Sequence, residues 1–429
     1  MNNMTYTATR RGTYSGFVVM ATLGNLSPLL FIIFQDSFGL SFERLGLLIV
    51  IYFSIQIAAM FFGIGIVEKL GYRIPVVFSQ CSAVLGLVLL GVLPTLMNNA
   101  FIGLIIATSL NAVGCGLIEL TFSPITNALP SPKNQKASTM SFMHSFYCWG
   151  VAGTILISTL FLQVMGREMW WLIPILWAAL PLFNSILFMR VPLPDVIEKK
   201  ERMPAKKLLL SPLFLVFIVL MICGAASELT MGQWSSLFME QGLGLSKVLG
   251  DIAGPCMLAI LMGVGRILYS VLSNRINYRV YMAASALLCV ACYLLMSLSP
   301  HPAFSLIGCA LCGLAVSMMW PGTLSFAVSH FPSGGTFMFG ALSIFGLLGC
   351  SLGPWVTGVV ADSSDGGLRT GLLVATIFPA VIILLILLIS RKKDVFVLYL
   401  LCHMLYYLGA YGFDNKFSSS KHDFLHVTR

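Results

Sequence analysis

Glu68-Lys69-Leu70-Gly71-Tyr72-Arg73 and, far downstream, Asn274-Arg275-Ile276-Asn277-Tyr278-Arg279 are two versions of one short basic turn. Each joins two long apolar stretches: residues 43–66 and 74–96 flank the first turn, and 248–270 and 279–299 flank the second. Further apolar stretches lie at 14–34, 100–128, 137–163 and 170–190, and then at 212–239, 303–329, 336–360 and 371–390. A helix needs ~20 apolar residues to cross a ~30 Å hydrocarbon core. The chain therefore reads as an all-α, polytopic membrane protein with six spans on either side of a polar stretch. The runs lack the period-two alternation and ~10-residue length of barrel strands.

The expected organisation is an N-terminal six-helix half (1–190), a cytoplasmic linker (191–211), a C-terminal six-helix half (212–393) and a tail (394–429). Repeated halves of this kind build many secondary transporters, with solute and coupling ions bound near the midplane between them. The tail holds an aromatic-rich apolar stretch at 395–413, expected to be an interfacial helix or a disordered segment.

Composition agrees. Of 429 residues, 58% are hydrophobic and only 10% are charged, and the formal net charge is +9. The positive charge is distributed by side. Arg10, Arg11, Lys69, Arg73, Lys136, Arg190, the linker's Lys199, Lys200, Arg202, Lys206 and Lys207, and Arg275, Arg279 and Arg391 fall on one set of alternate loops. The other set holds Arg44, Arg167, Lys247 and Arg369. Lys and Arg accumulate on cytoplasmic loops, so the linker and both ends of the main body are expected in the cytoplasm, in a multi-pass protein of the inner or plasma membrane. A nucleic-acid partner is not expected, because no soluble domain presents a basic patch.

Cys289-x-x-Cys292 and Cys309-x-x-Cys312 have the spacing of a four-thiolate zinc site. Both pairs fall inside apolar spans, where cysteine behaves as a small buried hydrophobe, so neither a metal nor a cofactor is expected. His-Glu-x-x-His and Gly-x-Ser-x-Gly are both absent, which argues against an intramembrane hydrolase.

Function is therefore sought in polar groups that the spans bury at a cost. An ionised side chain at bilayer depth costs at least ~2.5 kcal/mol on insertion scales and marks an interior pathway. Glu119 and Glu228 are such residues. Around Glu119, the residues Asn111, Cys115, Ser123 and Asn127 recur every four positions and form a drifting stripe. Pro124 lies in that stripe, where it frees backbone carbonyls. His144 in the fifth span falls at a depth similar to Glu119, either to share a proton with it or as a hydrogen-bonded core histidine. In the seventh span Glu228 is followed by Gln233, Trp234, Ser235 and Ser236, a mixture of amide, ring and hydroxyls suited to a sugar. Trp320-Pro321 in the tenth span is expected to break a helix beside the cavity. Asn25 and Tyr147 complete the candidate solute contacts.

The basic turn resembles the loop signature of the major facilitator superfamily, with Glu68 at its acidic position, Lys69 and Arg73 at basic ones and Gly71 at its glycine. That resemblance implies a charge network that latches the halves, assigned here to Glu68, Lys69, Gly71, Arg73, Arg266, Arg275 and Arg279. The alternative is that these residues only anchor loops on the cytoplasmic side. Gly116-Leu117-Ile118-Glu119 with Pro124, and Glu228 with Trp234, are similar to motifs of the fucose-permease-like branch, the fucose:proton symporter group. That branch carries a first-helix Asp where this chain reads Asn25-Leu26-Ser27-Pro28, which leaves Glu228 as the second titrating candidate.

The resemblance implies alternating access around a central cavity, with protons coupled to a small-molecule solute such as a sugar; the oligomeric state is not readable from the sequence, and a monomer in the lipid bilayer is the expectation. A drug or metabolite exporter of the same fold is the alternative, and a non-transporting sensor a third reading.

Overall fold

The computed structural model describes residues 6–389 apart from 131–134, 196, 198–200, 243, 245, 247–248, 251, 274, 276–277 and 300–301. The tail from residue 390, and with it the expected interfacial stretch, lies outside the described residues.

The first half comprises α1 (Tyr6–Leu29), α2 (Phe31–Phe38), α3 (Phe42–Leu70), α4 (Arg73–Leu96), α5 (Ala100–Ala128), α6 (Lys136–Met165), α7 (Leu172–Trp177) and α8 (Ala179–Arg190). A short α9 (Ala205–Leu209) lies in the linker. The second half comprises α10 (Pro212–Leu237), α11 (Met257–Leu272), α12 (Tyr278–Leu298), α13 (Pro302–Val316), α14 (Met319–His330), α15 (Gly335–Asp362), α16 (Leu368–Ala375) and α17 (Ile377–Ile389). Eleven helical segments are long and apolar enough to cross a membrane, and α1 with α2, bent by 42° at their junction, can make a twelfth span.

The expected spans are recovered, four of them with breaks. The first, expected as one stretch over 14–34, runs instead from Tyr6 to Phe38 with its bend just after Pro28. A proline removes one intrahelical donor and crowds the preceding turn. The sixth span is interrupted at Ala178, the tenth at Ser317 and Met318, and the twelfth at Thr376.

Large apolar side chains such as Phe61, Phe62, Val164, Val271 and Trp355 stand exposed on the outer wall. An apolar surface of this extent suits lipid rather than water. Inside, glycines let helices touch. A Cβ on Gly349 would strike the Ile222 carbonyl of α10, and one on Gly313 the Leu258 carbonyl of α11. Such approaches are the usual device where lipid removes the hydrophobic drive for helix association.

The start of α1, the Tyr72 turn, the linker and the loop before α15 lie together on one face of the bundle, here the linker face. There Thr9 donates to the Pro192 carbonyl and Arg10 to that of Pro130. Arg369, near the opposite far face, donates to the Ser299 carbonyl at 2.6 Å.

Candidate functional site

A cavity of about 430 Å³ lies between the halves. Its walls come from α1, the start of α2, α3, α5 and α6 of the first half and α10, α11, α14 and α15 of the second. The lining residues occupy the middle and far-face portions of these helices, from Glu119 and His144 at mid-depth to Phe31, Leu48 and Gln233. Towards the linker face two seams close it.

In the first seam α15 approaches α3 and α5. A Cβ on Gly340 would stand 2.8 Å from both the Ile64 and Leu120 δ-methyls, so the missing side chain is what allows the contact. Tyr72 Oη and Thr336 Oγ1 meet at 3.2 Å across the seam. At its inner end Ser343 Oγ donates to Glu119 Oε1 at 3.0 Å, from one half to the other.

In the second seam α6 runs against α11. Ser138 Oγ donates to the Ser270 carbonyl and Ser141 Oγ to the Arg266 carbonyl, both at 2.8 Å. Its inner end is Arg266, which is 2% exposed. Arg266 Nη1 donates to the His144 carbonyl at 2.8 Å, and Nε to the Ser317 carbonyl at 3.0 Å. Its Nη2 stands 3.6 Å from Glu228 Oε2.

The Ser317 acceptor is written into the sequence. Pro321 has no N–H to return to the carbonyl four residues earlier, and that carbonyl belongs to Ser317. The helix breaks there, and the freed acceptor takes the guanidinium. A buried arginine demands such partners.

Several expected positions are thereby corrected. Arg266, grouped with the linker-face loop, lies instead at the cavity floor, because α11 extends to Leu272 and leaves it more than a turn inside. Asn111 and Asn127 do not line the cavity. A four-residue repeat drifts by ~40° per step on a helix of 3.6 residues per turn, so only the middle of the stripe, Cys115 and Glu119, faces inward. Asn111 packs against Gly86 of α4, and Asn127 is half-buried near the linker face. Trp234 lies ~100° around α10 from Gln233, and its Nε1 donates to the Pro354 carbonyl of α15 at 3.0 Å. His144 shares no hydrogen bond with Glu119; its Nε2 lies 3.3 Å from Ser123 Oγ, and its ring packs edge-on to Phe17.

Asn25, Tyr147, Glu228, Gln233 and Trp320 do line the cavity. Tyr52, Gln56 and Thr108 line it too and carried no sequence signal beyond being polar residues in apolar spans. Thr108 Oγ1 is buried with no hydrogen-bond partner among the described residues, while the buried Tyr52 hydroxyl lies beside Cys115 and the Trp320 N–H beside the Glu119 carboxylate. Buried polar atoms of this kind require an explanation, and a bound solute is one.

The loop residues divide. Glu68 pairs with Arg202 of the linker at 2.9 Å. Arg73 bonds within its own half, donating to the Phe188, Met189 and Val191 carbonyls at the end of α8. Gly71 supplies a φ of 75° at the end of α3, a conformation open to glycine. Lys69 and Arg275 are exposed, and the Arg279 guanidinium lies over the Phe326 ring at 4.9 Å. Cys289 and Cys312 meet across α12 and α13 with sulfurs 3.9 Å apart, and Cys292 and Cys309 are buried nearby in the same two helices.

Membrane-length helices close on a central cavity whose mostly apolar lining carries a few polar and charged groups, and the family and fold matches that follow point to a transporter rather than an enzyme. The chain belongs to the Major Facilitator Superfamily, whose family model matches residues 13–354 and 257–398. Its fold is similar to the crystal structure of the E. coli fucose:proton symporter FucP, with a TM-score of 0.75 at 18% identity, covering 90% of this chain and 99% of that one. It is also similar to the proton:xylose symporter XylE (TM-score 0.71, 11% identity, 88% of this chain and 94% of that one). The human organic anion transporter MFSD10 shares the fold as well (0.68, 14%, 88% and 99%). No curated protein sequence matches the chain.

Proposed function

We propose that the chain is a proton-coupled symporter of a small, neutral, polar solute of the sugar class, working by alternating access with its linker face in the cytoplasm. The observation that carries this reading is the charge balance of the cavity floor. Glu119 and Glu228 line the cavity with one cation among the described residues, Arg266, whose guanidinium pairs with Glu228. With both acids ionised the floor holds one uncompensated negative charge at membrane depth, where an unpaired charge is costly. One proton removes it, so a proton is the coupling ion the site is built to accept.

The solute reading rests on the lining. Tyr52, Thr108, Gln233 and Asn25 offer uncharged donors and acceptors on both halves, the pattern that hydroxyls satisfy. FucP and XylE, which share the fold, are sugar:proton symporters. The orientation rests on the Lys and Arg excess of the linker-side loops.

A drug or metabolite exporter is the second reading, favoured by the apolar part of the lining, Met20, Leu23, Phe31, Phe53 and Met262. Reconstituted protein under an inward-acid pH gradient separates the two. Accumulation of labelled neutral sugar, lost when the gradient is collapsed, is the expected result. Expulsion of lipophilic dyes with no sugar uptake defeats the symporter reading.

A further inference from the structure

The linker between the halves does more than connect them. Arg202 Nη1 stands 2.9 Å from Glu68 Oε1 at the end of α3, with Arg202 only 15% exposed. The next residue, Met203, donates its backbone N–H to the Ser333 carbonyl at 3.0 Å, in the loop before α15. One dipeptide thus bonds to both halves. The aliphatic stem of Arg202 lies across Gly335, about where a Cβ would touch it at 3.6 Å. Gly335 has a φ of 59°, which a residue with a side chain adopts only under strain, so the loop presents a flat, fixed surface to the arginine. Beside this contact Tyr72 and Thr336 join the same two elements. Burial pushes the Tyr72 phenol above its ordinary range, which keeps it a neutral hydrogen-bonding partner there.

We propose that Arg202 and Met203 form a strap that holds the first seam shut, making the linker a working part of the linker-face gate. Opening that face must separate the Tyr72 turn from the loop before α15. A strap bonded to both elements can follow only one of them, so either the Glu68 pair or the Ser333 bond breaks on each opening. The strap also explains why this turn keeps an acid while Arg73 is engaged within its own half. The linker's Glu68 and Ser333 bonds both lie at the first seam, so the device acts there.

The proposal rests on alternating access but not on any particular solute or ion, and its test reads conformation. In the full-length protein in nanodiscs, hydrogen–deuterium exchange is followed at the start of α15 (335–342) and, as reference, at Ser138–Ser141. Glu68→Arg and Arg202→Glu are each expected to raise exchange at the start of α15 up to about fivefold, as loss of a partly exposed ion pair allows. The reference segment stays unchanged, and the double charge swap restores the slow rate. Arg202→Lys, which keeps the charge, is expected to fall between. Unchanged exchange in both single variants, or a double swap as fast as the singles, overturns the strap. If the exchange pattern holds while no sugar moves under a pH gradient, the solute reading fails and the strap stands.

Discussion

Along the first seam, between α3, α5 and α15, the first half sends Glu119 to the cavity floor and the second half answers with the Ser343 hydroxyl. Along the second, between α6 and α11, the second half sends Arg266 and the first half answers with the backbone carbonyl of His144. Both seams end in a charged group that reaches across the interface, yet the two differ in what a proton does to them. A guanidinium cannot be deprotonated in a protein, and a carbonyl does not titrate. A carboxylate does, and a hydrogen bond to it loses roughly half its strength when the charge is removed. The contact across the second seam involves no group that titrates, whereas the one across the first ends on a carboxylate. The seam that ends on the carboxylate is also the one that Arg202 and Met203 bridge.

The largest effect is expected at the second seam. Arg266→Met removes the only counter-charge beside Glu228 among the described residues, along with one brace to His144 of the other half and one to Ser317 of its own, and breaking a buried pair from one side costs about 3–5 kcal/mol. Thermal denaturation of the purified protein should show that loss, and Arg266→Lys should recover only part of it. An unchanged melting point would mean that Arg266 is not the anchor of this seam.

Next comes Glu119→Gln, which keeps an acceptor for Ser343 but removes the titrating group. Gradient-driven accumulation should vanish while solute exchange at equal pH survives. The same variant should abolish the rise in exchange at the start of α15 that acidification is expected to produce in the unaltered chain. Amides at Ser138–Ser141 should not respond to pH in either protein, and a response there would erase the contrast between seams.

Ser343→Ala should have a smaller consequence, because it deletes one hydrogen bond to a charged group, worth about 1.5–3 kcal/mol. The expected readout is a shift of population towards an open linker face, seen as faster exchange along Gly335–Ser343. Smallest is Pro321→Ala, which returns an N–H that competes with Arg266 for the Ser317 carbonyl. A change of about 1 kcal/mol is expected, measured as a modest drop in turnover without loss of fold.

Much of this was legible beforehand. The fourth span was expected at 100–128 and α5 occupies Ala100–Ala128, because a polar Asn98-Asn99 start and a Pro130 stop bound an uninterrupted apolar run. The helix break near Trp320-Pro321 followed from the chemistry of proline. Glu119 and Glu228 were singled out by the cost of burying them, and both line the cavity. The site's remaining members were harder to see. Arg266 was placed in the loop charge network because its predicted span ended only four residues later, and helix ends are the least certain feature of an apolar run. Trp234 was read as a solute contact because it neighbours Gln233, although adjacent helical residues point ~100° apart. Tyr52 and Thr108 sit among apolar residues with no motif around them.

The order of spans, the duplication and the two costly acids were set by the sequence alone, because bilayer thickness and the expense of burying charge act locally along the chain. Which groups meet was decided only by tertiary structure. Glu119 with Ser343, Arg266 with His144, and Glu68 with Arg202 are pairings between segments that no local periodicity relates. They depend on how two six-helix bundles are rotated and set against each other, and that arrangement is fixed by packing across the whole interface.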